Sequence, residues 1–128
     1  MSVSGAGNRI QSEVTGWEEI TAAPHRFGGV EFKIGHREIG HVHGDSLVDV
    51  PLPKRVRDEL VASGEAKPHH VLPKSGWVSV YLDEASDVHR AIAILRRSYE
   101  IAREQKDRRA AQKAAAADRV LTSAFWSR

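Results

Sequence analysis

The chain has 128 residues, 41% hydrophobic and 28% charged, with a formal net charge of +2, the make-up of one globular domain able to bury a core. It contains no cysteine, which excludes disulfides, thiolate catalysis and thiolate-ligated metals; the small charge names no partner, and no apolar run approaches the ~18 residues of a membrane span. The opening Met1-Ser2-Val3-Ser4-Gly5-Ala6-Gly7 lacks the basic and apolar regions of a signal peptide, so a cytoplasmic location is expected.

Residues 1–9 are small and polar and read as a disordered tail before a single domain over 10–105. Ile10, Val14 and Trp17 recur at the spacing of a helix face. Ala22 to Gly29 reads as a loop, punctuated by Pro24 and Gly28-Gly29. Val30 to Ile34 alternates and predicts a first strand. A three-residue loop, Gly35-His36-Arg37, leads into a second strand, Glu38 to His43, and sets Phe32 opposite Gly40 and Val30 opposite Val42. Gly44-Asp45-Ser46 is a second three-residue loop, before a third strand, Leu47 to Leu52. This register pairs His43 with Leu47, Val42 with Val48 and His41 with Asp49. Val42, Val48 and Val50 then share one face, and His41, His43 and Asp49 the other. A slip of one residue would mix the faces.

Pro53 suits the first turn of a helix, Val56, Leu60 and Val61 form its apolar stripe, and Gly64 is placed as its left-handed cap. Pro68 to Leu72 predicts a fourth strand and Trp77 to Leu82 a fifth, joined by Pro73-Lys74-Ser75-Gly76. That loop pairs Val71 with Val78 and His70 with Ser79, placing His69 on the core face and His70 on the opposite one. Ser86 is the expected N-cap of the last helix, with Asp87 in its first turn. Its face is Val88, Ala91, Ile92, Leu95, Tyr99 and Ala102. Residues 106–128 are charged and alanine-rich, a helical extension or a tail. They end in an apolar patch of Val120, Leu121, Ala124, Phe125 and Trp126, which needs a partner surface.

The element order is therefore α-β-β-β-α-β-β-α: a two-layer α+β domain with a five-stranded, mainly antiparallel sheet, helices on one face and the other more open. The open face collects His41, His43, Asp49, His70, Trp77, Ser79 and Tyr81, the candidate ligand-binding or interface residues. His-x-His on a strand sets two imidazoles on one side, about 6.5–7 Å apart at Cα. With Asp49 or His70 as further ligand, they suit zinc. The plainer alternative is cross-strand hydrogen bonding, His41 to Asp49 above all. A hydrolytic reading would take Ser79 or Ser75 with His70 as base and Asp49 as its orienter, but no Gly-x-Ser-x-Gly elbow is present. Trp77 and Tyr81 on an uncovered sheet favour self-association. Arg96, Arg97, Arg103, Lys106, Arg108, Arg109 and Lys113 make the last helix basic, but interleaved Glu100, Glu104 and Asp107 read as a solvated, charge-laced surface rather than a nucleic-acid one.

The run from Pro24-His25-Arg26-Phe27-Gly28-Gly29-Val30-Glu31-Phe32 to Arg97-Ser98-Tyr99 carries a recognisable set of motifs. Among them are Gly40-His41-Val42-His43-Gly44-Asp45, Asp49-Val50-Pro51, Val56-Arg57-Asp58-Glu59-Leu60, Pro68-His69-His70-Val71-Leu72-Pro73 and Ser75-Gly76-Trp77-Val78. Together they resemble the luciferase-like domain family of small bacterial and fungal proteins. The resemblance assigns no cofactor and no catalytic residue, and the chain is too short for the barrel of flavin-dependent luciferases. The element order is also similar to the secretion-chaperone-like fold of the YjbR-like proteins, which by analogy implies dimers or a binding role. The leading expectation is a small binding module using the open face and forming a homo-oligomer. The alternatives are a metal-dependent enzyme or binder at His41, His43, Asp49 and His70, and a nucleic-acid binder through the last helix.

Overall fold

The computed structural model describes residues 2–25 and 28–126, with side chains as far as residue 122. In chain order the elements are α1 (Ala6–Thr15), β1 (Ile20–Pro24), β2 (Val30–Ile34), β3 (Arg37–His43), β4 (Leu47–Pro51), α2 (Lys54–Ser63), β5 (Lys67–Pro68), β6 (Trp77–Tyr81) and α3 (Ala85–Trp126). The strands form one six-stranded sheet in the order β1-β2-β3-β4-β6-β5, with every pairing antiparallel. The fold is α+β, as expected, with one strand more than the sequence predicts.

That extra strand is β1, which takes up Ala22 to Pro24 from the expected loop and pairs Ile20 with Ile34 and Pro24 with Val30. It is an exposed edge strand and lacks apolar alternation, so periodicity does not reveal it. The β3–β4 hairpin has the expected register: His41 faces Asp49, Val42 faces Val48 and His43 faces Leu47. Between β2 and β3, Phe32 faces Gly40 and Val30 faces Val42 as expected, although by another route. The turn holds only Gly35 and His36, since Ile34 already pairs with Arg37, and a bulge at Ile39 restores the count. The bulge also exchanges faces: Ile39 is fully buried in the core and Glu38 joins the side of His41. Re-aiming a side chain is the usual effect of such an insertion.

α1 and α3 pack on the sheet. Their apolar residues, including Ile10, Val14, Leu95 and Tyr99, meet Phe32, Val42, Val48, Val50, Val78 and Val80 in one core. Gly40 lies where α3 crosses the sheet. Its φ is 153°, and a Cβ there would come 2.4 Å from Leu95 Cδ2. α1 begins at Ala6, inside the expected tail, because the Asp45 carboxylate accepts the backbone N–H groups of Gly5 (3.2 Å) and Gly7 (2.8 Å). The start of α3 is held by Asp87 rather than Ser86: its Oδ2 accepts the N–H groups of Asp83 (2.9 Å) and Glu84 (2.8 Å). α3 continues as a single helix beyond Ala102, the last buried residue among its described side chains. Val120 and Leu121 are exposed at its far end, and the side chains of Ala124, Phe125 and Trp126 lie outside the described residues.

The expected fourth strand changes most. β5 pairs Lys67 with Ser79 and Pro68 with Val78, so the predicted partners His70 and Val71 lie past its end. Residues 69–76 form an eight-residue connection instead of a four-residue turn. This segment folds over the polar face of the sheet, whose centre is therefore buried: Asp49 and Ser79 are both 0% exposed.

Candidate metal centre and ligand pocket

The site is built on the Asp49 carboxylate at the middle of β4. Ser79, facing it on β6, donates its hydroxyl to Oδ1 at 2.7 Å. The other oxygen, Oδ2, meets histidine Nε2 atoms from three directions: His41 at 3.1 Å, His43 at 3.1 Å and His70 at 3.2 Å. A fourth, His69 Nε2, lies 3.5 Å away. A carboxylate oxygen offers two lone pairs, so four imidazole nitrogens exceed its hydrogen-bonding capacity. The distances suit a different arrangement. Two ligand atoms on one tetrahedral zinc lie about 3.3–3.4 Å apart, and on an octahedral ion about 3.0 Å.

Two of the histidines, His41 and His69, are oriented by what their other nitrogen meets. His41 Nδ1 lies 2.7 Å from Glu38 Oε2. This is the carboxylate–histidine arrangement that orients metal-bound imidazoles. Without an ion, burial pushes the His41 pKa down, but hydrogen bonds to Asp49 and Glu38 outweigh it and raise the pKa to about 9. Burial also works against the Asp49 carboxylate, yet hydrogen bonds from His41, Ser79 and His70 hold its pKa well below the usual carboxylate range. His43 is pushed down, first by burial and then by the charge of His41, which keeps it neutral with a lone pair to give. His69 differs: its Nδ1 accepts the backbone N–H groups of Val71 (3.1 Å) and Leu72 (3.0 Å). Its proton must then sit on Nε2, which makes it a donor toward Asp49 and not a metal ligand. The ligand atoms of His41, His43 and Asp49 lie within 4.8 Å of one another, a two-histidine, one-carboxylate set that His70 adjoins.

A cavity of about 500 Å³ opens over these groups, with Trp77, Val71 and Leu72 among its walls. His25, from the end of β1, stacks on the His41 ring at 4.0 Å and 21°. Trp77 lies 5.4 Å from the ring of His41 and 5.7 Å from that of His69.

The structure therefore brings together His41, His43, Asp49, His70, Ser79 and Trp77. Tyr81 stands apart, lining a second cavity with Lys67, whose Nζ lies 5.7 Å from its ring centroid. Neither serine has a nucleophile's setting. Ser79 gives its proton to Asp49, His70 meets Asp49 instead of Ser79, and Ser75 Oγ closes a turn by donating to the Leu72 carbonyl at 2.7 Å. His69 faces the site and not the core, because the strand that would have turned it inward stops at Pro68. The sequence reading missed Glu38, His25 and the role of His69. One signal was present: Ile39 is out of phase with Val42, and that break beside Gly40 marks the bulge.

Residues 36–98 match the family model described as Luciferase domain. The chain carries a luciferase domain. The domain so matched includes Glu38, all the histidines around Asp49, and Trp77, while His25 lies outside it. No curated protein and no solved structure matches the chain. Among the described residues no helix is long and apolar enough to cross a membrane.

Proposed function

We propose that this luciferase-domain protein is a metal-dependent ligand binder, with a divalent transition ion held by His41, His43 and Asp49 and with His70 beside them. The observation that carries this reading is the convergence of Nε2 atoms on Asp49 Oδ2 at 3.1–3.2 Å, beyond what one oxygen can accept. Imidazole and carboxylate ligands without thiolate suit zinc, and also iron or cobalt. Counted as the three ligands His41, His43 and Asp49, the protein set leaves a coordination position toward the cavity for a ligand or water, the pattern of catalytic rather than structural sites. The cover of residues 69–76 over the sheet favours a small ligand over a second copy of the chain. Along α3, Lys106 pairs with Glu19, Arg103 with Glu18 and Arg108 with Glu104, which weakens the nucleic-acid alternative.

The test is titration of metal-stripped protein with zinc and cobalt, with elemental analysis and native mass. One ion per chain, lost in His43→Ala, is the expected result. A folded protein that takes up neither ion nor iron overturns the reading, and a stable metal-free dimer returns attention to self-association.

A further inference from the structure

The wall above the histidines is apolar and held in place. Val71 is 67% and Leu72 49% exposed, although both line the same cavity as Trp77. Large apolar side chains kept in water at the rim of a pocket mark a binding surface. Their segment does not hang loosely. His69 Nδ1 accepts the N–H groups of both residues, Arg57 holds the Pro73 carbonyl, and the Leu52 N–H donates to the Gly76 carbonyl at 3.2 Å. An apolar body docking there would lose little chain entropy, because the wall is already ordered. No lysine or arginine is among the described lining residues, so the pocket lacks the side chains that clamp phosphate. Its volume of about 500 Å³ is in the range of small-molecule sites.

The geometry points to a ligand class: a small molecule with an apolar body and one oxygen-donor head, such as a carboxylate or enolate. The head binds the ion at His41, His43 and Asp49, and the body lies against Trp77, Val71 and Leu72. This rests on the metal reading above and goes beyond it in naming what the ion binds.

Alkyl hydroxamates serve as probes, since their head binds such ions and their tail length can be varied. Cobalt(II)-loaded protein is titrated with acetohydroxamate and octanohydroxamate, following the visible d–d bands. Octanohydroxamate should bind at least about tenfold more tightly, a modest share of what six buried methylenes supply. Leu72→Ser, which removes the apolar contact without adding a charge or a carboxylate ligand, should cut that advantage while cobalt content stays as it was. Equal affinities for the two probes in the unmodified protein overturn the ligand class and leave the metal site standing. Inorganic phosphate outcompeting both probes overturns it as well. Absence of any cobalt spectrum removes the metal reading itself, and the ligand class with it.

Discussion

Two cavities flank β6, and Ser79 joins them: it lines the one beside Tyr81 and donates to Asp49 in the other. They are similar in size, about 420 Å³ and 500 Å³. The Tyr81 cavity is the more charged, with Glu65, Lys67, Asp83, Asp87 and Arg90 around it, but its central carboxylate is ordinarily satisfied. Asp87 accepts two backbone N–H groups on Oδ2 and meets Arg90 through Oδ1. In the other cavity, four imidazole nitrogens crowd one oxygen. Volume does not separate the two, and the more charged cavity is the one whose carboxylate is ordinarily satisfied. What distinguishes the histidine cavity is coordinating atoms in excess of what hydrogen bonding can use, the basis of the metal site proposed there.

The strongest way to break this contrast is Asp49→Asn. It should abolish metal uptake and, by taking one of the two carboxylates from His41 while Glu38 remains, cost about 1–2 kcal/mol in denaturant unfolding. His43→Ala should separate the two effects: metal affinity should fall by about 100-fold or more in a competitive chelator titration, with stability changed by less than about 1 kcal/mol. Retained metal in that variant would return the cluster to a hydrogen-bonding role. Glu38→Gln should weaken metal binding by about 10–100-fold, the usual cost of losing such a partner, while leaving one ion per chain at saturation.

A pH series sharpens the comparison further. In metal-stripped protein the folded pKa of His41, about 9, lies above its ordinary 6.5. The stability it contributes is therefore complete below pH 6.5 and is lost as pH rises through about 9. The melting temperature should fall across that window, and the fall should shrink in His41→Asn. The smallest effect belongs to the other cavity: Tyr81→Ala should leave metal content unchanged.

Sequence periodicity reached furthest where pairing was local. The β3–β4 hairpin could be aligned from its own valines, and that alignment already put His41 opposite Asp49 with His43 on the same side. It was less informative where a strand lacked alternation or stopped early. β1 carries Ala22, Ala23 and Pro24 with little to bury, so the placement of His25 was hidden. The apolar Val71 and Leu72 looked like the continuation of a strand, but they rim a pocket, and an exposed binding wall has the same composition as a buried strand. Unbroken alternation along β3 would put Glu38 on the valine face, and a single inserted residue, Ile39, reverses which face each neighbour takes.

The sequence by itself determined the α+β class, the central hairpin and its register, and the grouping of two histidines with one carboxylate, because alternation in a half-buried hairpin admits one register that buries its valines together. The absence of cysteine likewise excluded thiolate ligands for any metal. Only the tertiary structure decided that His69 and His70 both reach Asp49, that Glu38 supports His41, and that residues 69–76 cover the sheet. Those placements depend on where β5 ends and where β3 bulges. Both are settled by competition among long-range contacts, Gly40 under Leu95 and Gly76 against Leu52, that have no local periodic signature.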